Sequence, residues 1–171
     1  MRDAVVALVQ ALAAKGLPLL LYEGWRDPRR QAELYARGRV DGIGSPGKHV
    51  TRAQAWKSLH QYGLAADFVF FVAGKWTWQE PTRGAWATYQ QIATALGLEV
   101  LSFEKPHVQL RDVSLGHLVT GQYPIGGDES WAANLDAAIL SWGPLPRMAV
   151  GLKHPGAPAQ TDRDDRPELE A

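Results

Sequence analysis

Ser58-Leu59-His60-Gln61-Tyr62-Gly63-Leu64-Ala65-Ala66-Asp67 is the stretch that decides how this chain folds. It leaves a polar segment and runs into apolar residues, so His60 and Asp67 fall where a loop enters a strand. Gly63 allows a sharp turn between them, because glycine adopts left-handed backbone angles without steric cost. Both side chains can then face one point. A second short stretch, Glu104-Lys105-Pro106-His107-Val108-Gln109, lies at the junction of two later apolar runs. Together the two segments supply two imidazoles and two carboxylates, enough for three metal ligands and a base.

A catalytic zinc takes three protein ligands and keeps a fourth position for water. A carboxylate that is not a ligand must move the water's proton to the leaving group. The chain contains no cysteine, so any metal must be held by His, Asp or Glu, and a thiol nucleophile is excluded. Taken alone, these residues read more readily as satisfied polar groups at strand ends than as a metal site, since both spacings recur by chance. No His-Glu-x-x-His is present, which excludes the helical zincin arrangement.

Outward from these segments, Val5, Leu8, Val9 and Leu12 form an apolar stripe closed by Lys15-Gly16, which predicts a first helix. Leu17 to Tyr22 reads as a buried strand, and Glu23 to Arg26 as a turn. Asp27-Pro28 is a cap followed by proline at the first helical position, opening a helix over Arg29 to Arg37. A long loop follows to Lys57, and long loops inside compact domains are often functional. Leu64 to Val72 and Trp76 to Trp78 suggest a hairpin, and Pro81 to Leu96 a helix. Leu98 to Phe103 and Val108 to Leu110 predict two more strands, with Glu104 to His107 between them. Short helices are expected from Asp112 and from Asp128, the second running through Trp142. The seven tryptophans are expected mainly in the core, with Trp25, Trp56 and Trp76 nearest the chemical segments.

Eighteen basic residues balance eighteen acidic ones, which argues against nucleic acid or an anionic membrane as partner. No run reaches the roughly 20 apolar residues of a membrane span. The opening residues carry Asp3 and helical spacing rather than a signal peptide, so synthesis in the cytoplasm is expected. One domain over residues 1–150 is expected, with a proline- and charge-rich tail over 151–171 that is disordered from about residue 154.

Ser-x-His-x-x-Gly-x-Ala-x-Asp followed by Glu-x-Pro-His resembles the D-alanyl-D-alanine carboxypeptidase and L-alanyl-D-glutamate endopeptidase family of zinc peptidases. A third segment, Gly24-Trp25-Arg26 through Gln31, Leu34-Tyr35 and Gly38-Arg39, is similar to that family's Gly-x-Arg, Gln-x-x-Leu-Tyr and Gly-Arg pattern. The likeness spans about residues 20 to 111. It implies an α+β fold, a small antiparallel sheet that carries the zinc site and is flanked by helices, as in hedgehog-type domains. It implies Zn2+ as cofactor on His60, Asp67 and His107, with Glu104 as catalytic acid and base. Arg26 matches an arginine that stabilises an oxyanion or holds a substrate carboxylate; a surface loop arginine is the alternative. Ser58 matches a substrate-lining position, or else caps the turn before His60. Gln31 matches a position that contacts the substrate site or supports it structurally. His49, His117 and His154 lie outside the motif and are expected on the surface. One departure is the run Leu98 to Phe103, where relatives often carry Trp-Gly-Gly.

The function so implied is cleavage of peptidoglycan stem peptides by a monomer, of the L-Ala–D-Glu endopeptidase type found in phage or prophage endolysins. Its site of action is then the cell wall, reached after release. A D,D-carboxypeptidase or D-Ala-D-Ala dipeptidase is the alternative within the family, and a non-catalytic zinc-binding wall module the alternative outside catalysis.

Overall fold

The computed structural model describes residues 1–40 and 43–141. Trp142, His154 and the expected tail lie outside the described residues. In chain order the elements are α1 (Arg2–Ala14), β1 (Leu19–Glu23), α2 (Pro28–Ala36), a 3-10 turn (Leu59–Tyr62), β2 (Ala65–Val72) and β3 (Lys75–Thr77). They continue with α3 (Ala85–Ala95), β4 (Leu98–Leu101), β5 (Glu104–Leu110), α4 (Leu115–Val119) and α5 (Glu129–Ser141). The sheet is antiparallel in the order β1-β2-β5-β4, and β3 pairs with the far end of β2. This is the expected α+β architecture.

Side chains alternate faces along a strand. On β2, Ala66, Phe68 and Phe70 enter the main core with Leu8 and Leu12 of α1, Trp86, Tyr89 and Ala93 of α3, and Val108 of β5. Each fully buried large apolar side chain there contributes about 1.5–3 kcal/mol. The opposite face of β2 carries Asp67 and Val69. In register, Asp67 stands opposite His107 on β5 and Glu23 on β1. Residues directly opposite share a face. One face is thus packed against helices, and the other presents ionisable groups from three strands. A smaller cluster of Leu59, Tyr62, Leu64, Ala65 and Leu118 supports the 3-10 turn, with Trp131 and Leu135 of α5 packed on it.

Several elements differ from expectation. The apolar run at β1 is an edge strand: Leu19 is buried, while Leu20 and Leu21 are each 43% exposed. Among the described residues, β1 pairs in the sheet only with β2, at the end of the strand order. β5 starts at Glu104, so the Glu104 to His107 segment lies on a strand and not between two. α3 starts at Ala85, four positions after Pro81, because Gly84 sits at φ 87 and interrupts the helical path. α4 is capped by Ser114, since Asp112 takes φ 58 and cannot lead into a helix. Of the tryptophans described, only Trp86 belongs to the main core; Trp56 is 38% exposed.

Candidate metal centre

Three elements bring the ligand candidates together. Asp67 and His107 are cross-strand neighbours on β2 and β5. His60 comes from the 3-10 turn, which Gly63 ends at φ 69, and that left-handed residue swings the chain into β2. All three residues are buried. His60 Nε2 lies 3.2 Å from His107 Nδ1, and Asp67 Oδ1 lies 3.3 Å from each. Tetrahedral donors at about 2.0–2.1 Å from zinc stand about 3.3–3.4 Å apart. The donor triangle therefore fits such an ion. Hydrogen bonding satisfies it poorly, because two ring nitrogens face each other and share one carboxylate oxygen. Among the described residues this is the one group of His, Asp and Glu with ligand atoms close enough to hold a metal.

The groups behind the ligands aim their lone pairs inward. His60 Nδ1 is 2.7 Å from the carbonyl oxygen of Gly24, which only accepts, so Nδ1 carries the proton and Nε2 keeps its lone pair. His107 Nε2 is 3.0 Å from Gln109 Oε1, which leaves Nδ1 facing the cluster. Arg26 donates to Asp67 Oδ2 at 3.1 Å, so Oδ1 is the oxygen turned to the imidazoles.

Arg26 itself is buried and held on several sides. It donates to Gln31 Oε1 at 2.8 Å and to Glu23 Oε2 at 2.5 Å. Its Nε–H is the one buried side-chain polar atom without a partner among the described residues. Gln31 is fully buried, and all its hydrogen-bonding capacity is taken: it accepts from Arg26 and Gln61 and donates to Thr51 and the Ala53 carbonyl. Ser58 is half-buried, and its Oγ accepts from the His60 N–H while Gln61 returns a bond to the Ser58 N–H. Ser58, Gln61, Gln31 and Arg26 thus form one hydrogen-bonded chain from the 3-10 turn to Asp67. Glu104 is half-buried at the start of β5, across from Leu101. Its carboxylate accepts no hydrogen bond among the described residues, yet its charge acts on both Arg26 and His107.

The electrostatics follow from this packing. Burial pushes the Asp67 carboxyl up, but when the two rings are protonated and no ion is bound, the His60 charge and then the hydrogen bonds and charge from His107 and His60 outweigh it and hold Asp67 well below the usual carboxylate range. Burial pushes the His107 imidazole down; the Asp67 hydrogen bond and charge, then Glu104 and Gln109, leave it above the ordinary histidine value. Burial likewise opposes the Arg26 charge, and Glu23, Asp67 and Glu104 together raise it. Burial, then the Asp67 charge, lifts the Tyr89 hydroxyl well above its usual value, and that hydroxyl donates to the Pro106 carbonyl beside His107. Outside the cluster, His49 and His117 are exposed, as expected.

Sequence spacing pointed to His60, Asp67, His107 and Glu104, and the family resemblance to Arg26, Ser58 and Gln31. Both missed Glu23, Gln109, Gln61 and the Gly24 carbonyl. Gln109 stands two positions after His107, which on a strand puts it on the same face, so that member was within reach of a period-2 argument.

A small antiparallel sheet bearing a buried His, Asp and His cluster with a nearby carboxylate defines a candidate metal-dependent hydrolase. Comparison with known proteins gives the family. Residues 1–114 match the family model described as VanY, D-alanyl-D-alanine carboxypeptidase, and the chain belongs to that family. It is also 35% identical over 100 residues to the peptidoglycan L-alanyl-D-glutamate endopeptidase CwlK of Bacillus subtilis (strain 168). That similarity covers 54% of this chain and 58% of the relative.

Proposed function

We propose that this chain is a zinc-dependent peptidase of peptidoglycan stem peptides, cutting between L-Ala and D-Glu. The observation that carries the proposal is the donor triangle of His60, Asp67 and His107, with each ligand's partner turning a lone pair inward. Similarity to an L-alanyl-D-glutamate endopeptidase supports the choice of bond.

In this reading His60, Asp67 and His107 hold the ion. Zinc, when bound, supplies Lewis acidity, acidifying a water and polarising the scissile carbonyl. Glu104 takes the proton from the attacking water and delivers it to the leaving amine nitrogen. Its carboxylate suits that part because no protein hydrogen bond occupies it among the described residues. Arg26 keeps Asp67 oriented and sets a permanent positive charge close to where negative charge develops on the substrate. Gln31 serves the substrate indirectly, by holding Arg26. Ser58 borders the site while capping the turn that presents His60.

The test is mass spectrometry of purified peptidoglycan treated with zinc-loaded protein. New D-Glu amino termini are expected. Glu104→Gln is expected to lose about 10²–10⁴-fold in rate while still binding one zinc. Zinc-loaded protein that releases no peptide, or Glu104→Gln at wild-type rate, would overturn the proposal. Loss of terminal D-Ala alone would select the D,D-carboxypeptidase reading, which the description of the family model favours. An endolysin role rests on the motif resemblance; it requires that added protein clear suspensions of cells with permeabilised outer membranes, and that Glu104→Gln does not.

A further inference from the structure

Behind His107 the hydrogen bonding runs on past Gln109 to a carboxylate that the peptidase reading does not use. Gln109 Oε1 is 3.0 Å from His107 Nε2, and Gln109 Nε2 donates to Glu99 Oε2 at 2.9 Å. Glu99 and Gln109 are cross-strand partners on β4 and β5, so register alone brings them together. A glutamine amide can present either its oxygen or its nitrogen to a neighbour. A carboxylate can only accept. Glu99 therefore selects the amide nitrogen, which turns the amide oxygen to His107. That oxygen in turn requires the proton on Nε2 and leaves the Nδ1 lone pair facing Asp67 and His60.

We propose that Glu99 is a positioning residue for the metal centre, fixing the His107 tautomer through the orientation of Gln109. The proposal rests on the reading of His60, Asp67 and His107 as a ligand set. Were Gln109 reversed, its N–H would demand a lone pair on Nε2. The proton would then sit on Nδ1, pointing into the cluster, and His107 could not ligate without losing it. Glu99 thus acts on the site at one remove, from a strand that contributes no ligand.

The experiment uses full-length protein and three variants: Glu99→Gln, Gln109→Met and the exchanged pair Glu99→Gln with Gln109→Glu. Nitrogen-15 spectra of the histidine rings, recorded metal-free at a pH where the imidazoles are neutral, report the tautomer. Competition with a chromophoric chelator reports zinc affinity, and thermal melts establish that each variant folds. Wild type is expected as the single Nε2–H tautomer of His107. Glu99→Gln can present either end of its amide, so mixed tautomers and about tenfold weaker zinc binding are expected; Gln109→Met loses up to about a hundredfold. The exchanged pair rebuilds the relay with the carboxylate at 109 and the amide at 99. It is expected to recover both the single tautomer and most of the affinity, which a merely structural pair would not do. Unchanged tautomer and zinc affinity in folded Glu99→Gln, or no recovery in the exchanged pair, would overturn the proposal. The tautomer measurement needs no metal. Failure of wild type to bind zinc would instead sink the ligand assignment.

Discussion

Arg26 shows how one loop residue can tie two strands and a helix together. Its guanidinium reaches Glu23, Gln31 and Asp67, and planar geometry with fixed donor directions lets one side chain serve all three. Lysine offers a single point charge, so Arg26→Lys is expected to weaken zinc affinity about tenfold even with the fold intact, read by chelator competition. Gln31 is the support beneath it. Gln31→Leu keeps the volume but strands the Gln61 amide and one Arg26 N–H in a buried place. A loss of about 1–3 kcal/mol in urea unfolding is expected. A change within about 0.5 kcal/mol would mean that neither group depends on this glutamine.

The elements hold these residues through local rules. Asp27 caps α2, accepting from the Arg29 backbone and side chain. The Arg29 side-chain hydrogen bond is the largest influence on its carboxyl; burial opposes it, and the net effect lies below the usual range. A carboxyl lowered on folding adds stability above its unfolded value of about 3.9, and that stability fades as pH falls through the folded value. Asp27→Asn keeps a capping side chain. It should therefore be less stable than wild type near pH 7 and approach it near pH 2, by urea titration at both. Gly38 anchors the following loop at φ 73, where an added Cβ would meet the Lys48 carbonyl oxygen at 2.4 Å. Gly38→Ala is expected to unseat that loop, with faster protease cleavage between residues 38 and 57 as the readout.

What the sequence made legible follows the same division. His60 and Asp67 sit seven positions apart around a glycine, and Glu104 and His107 three apart, so short motifs expose them. Arg26 meets Asp67 across 41 positions, and Gln109 meets Glu99 across 10, so only the folded sheet and the loop after β1 reveal those partners. Lys105-Pro106 hid the start of β5, because a strand interrupted by proline looks like a loop. The unbroken apolar run at β1 suggested burial on both faces. In fact Tyr22 is covered only in part, edge-on, by Trp76 and Trp78 of the neighbouring hairpin.

For the molecule as a whole, binding and folding are linked. An ion that binds only the folded state adds about 2.7 kcal/mol at a hundredfold excess over its dissociation constant. Calorimetry with zinc and then with excess chelator should show a higher midpoint for the loaded protein, and a midpoint indifferent to zinc would count against the ligand set. The register that sets Asp67 beside His107 has one more effect. These residues are 40 positions apart in the chain, and His60 and His107 are 47 apart. A shared ion would close those spans into loops, tying the first half of the sheet to the second. The chain has no cysteine and so no disulfide to do this. An ion there would serve as its clasp, one that reductants leave shut and chelators open.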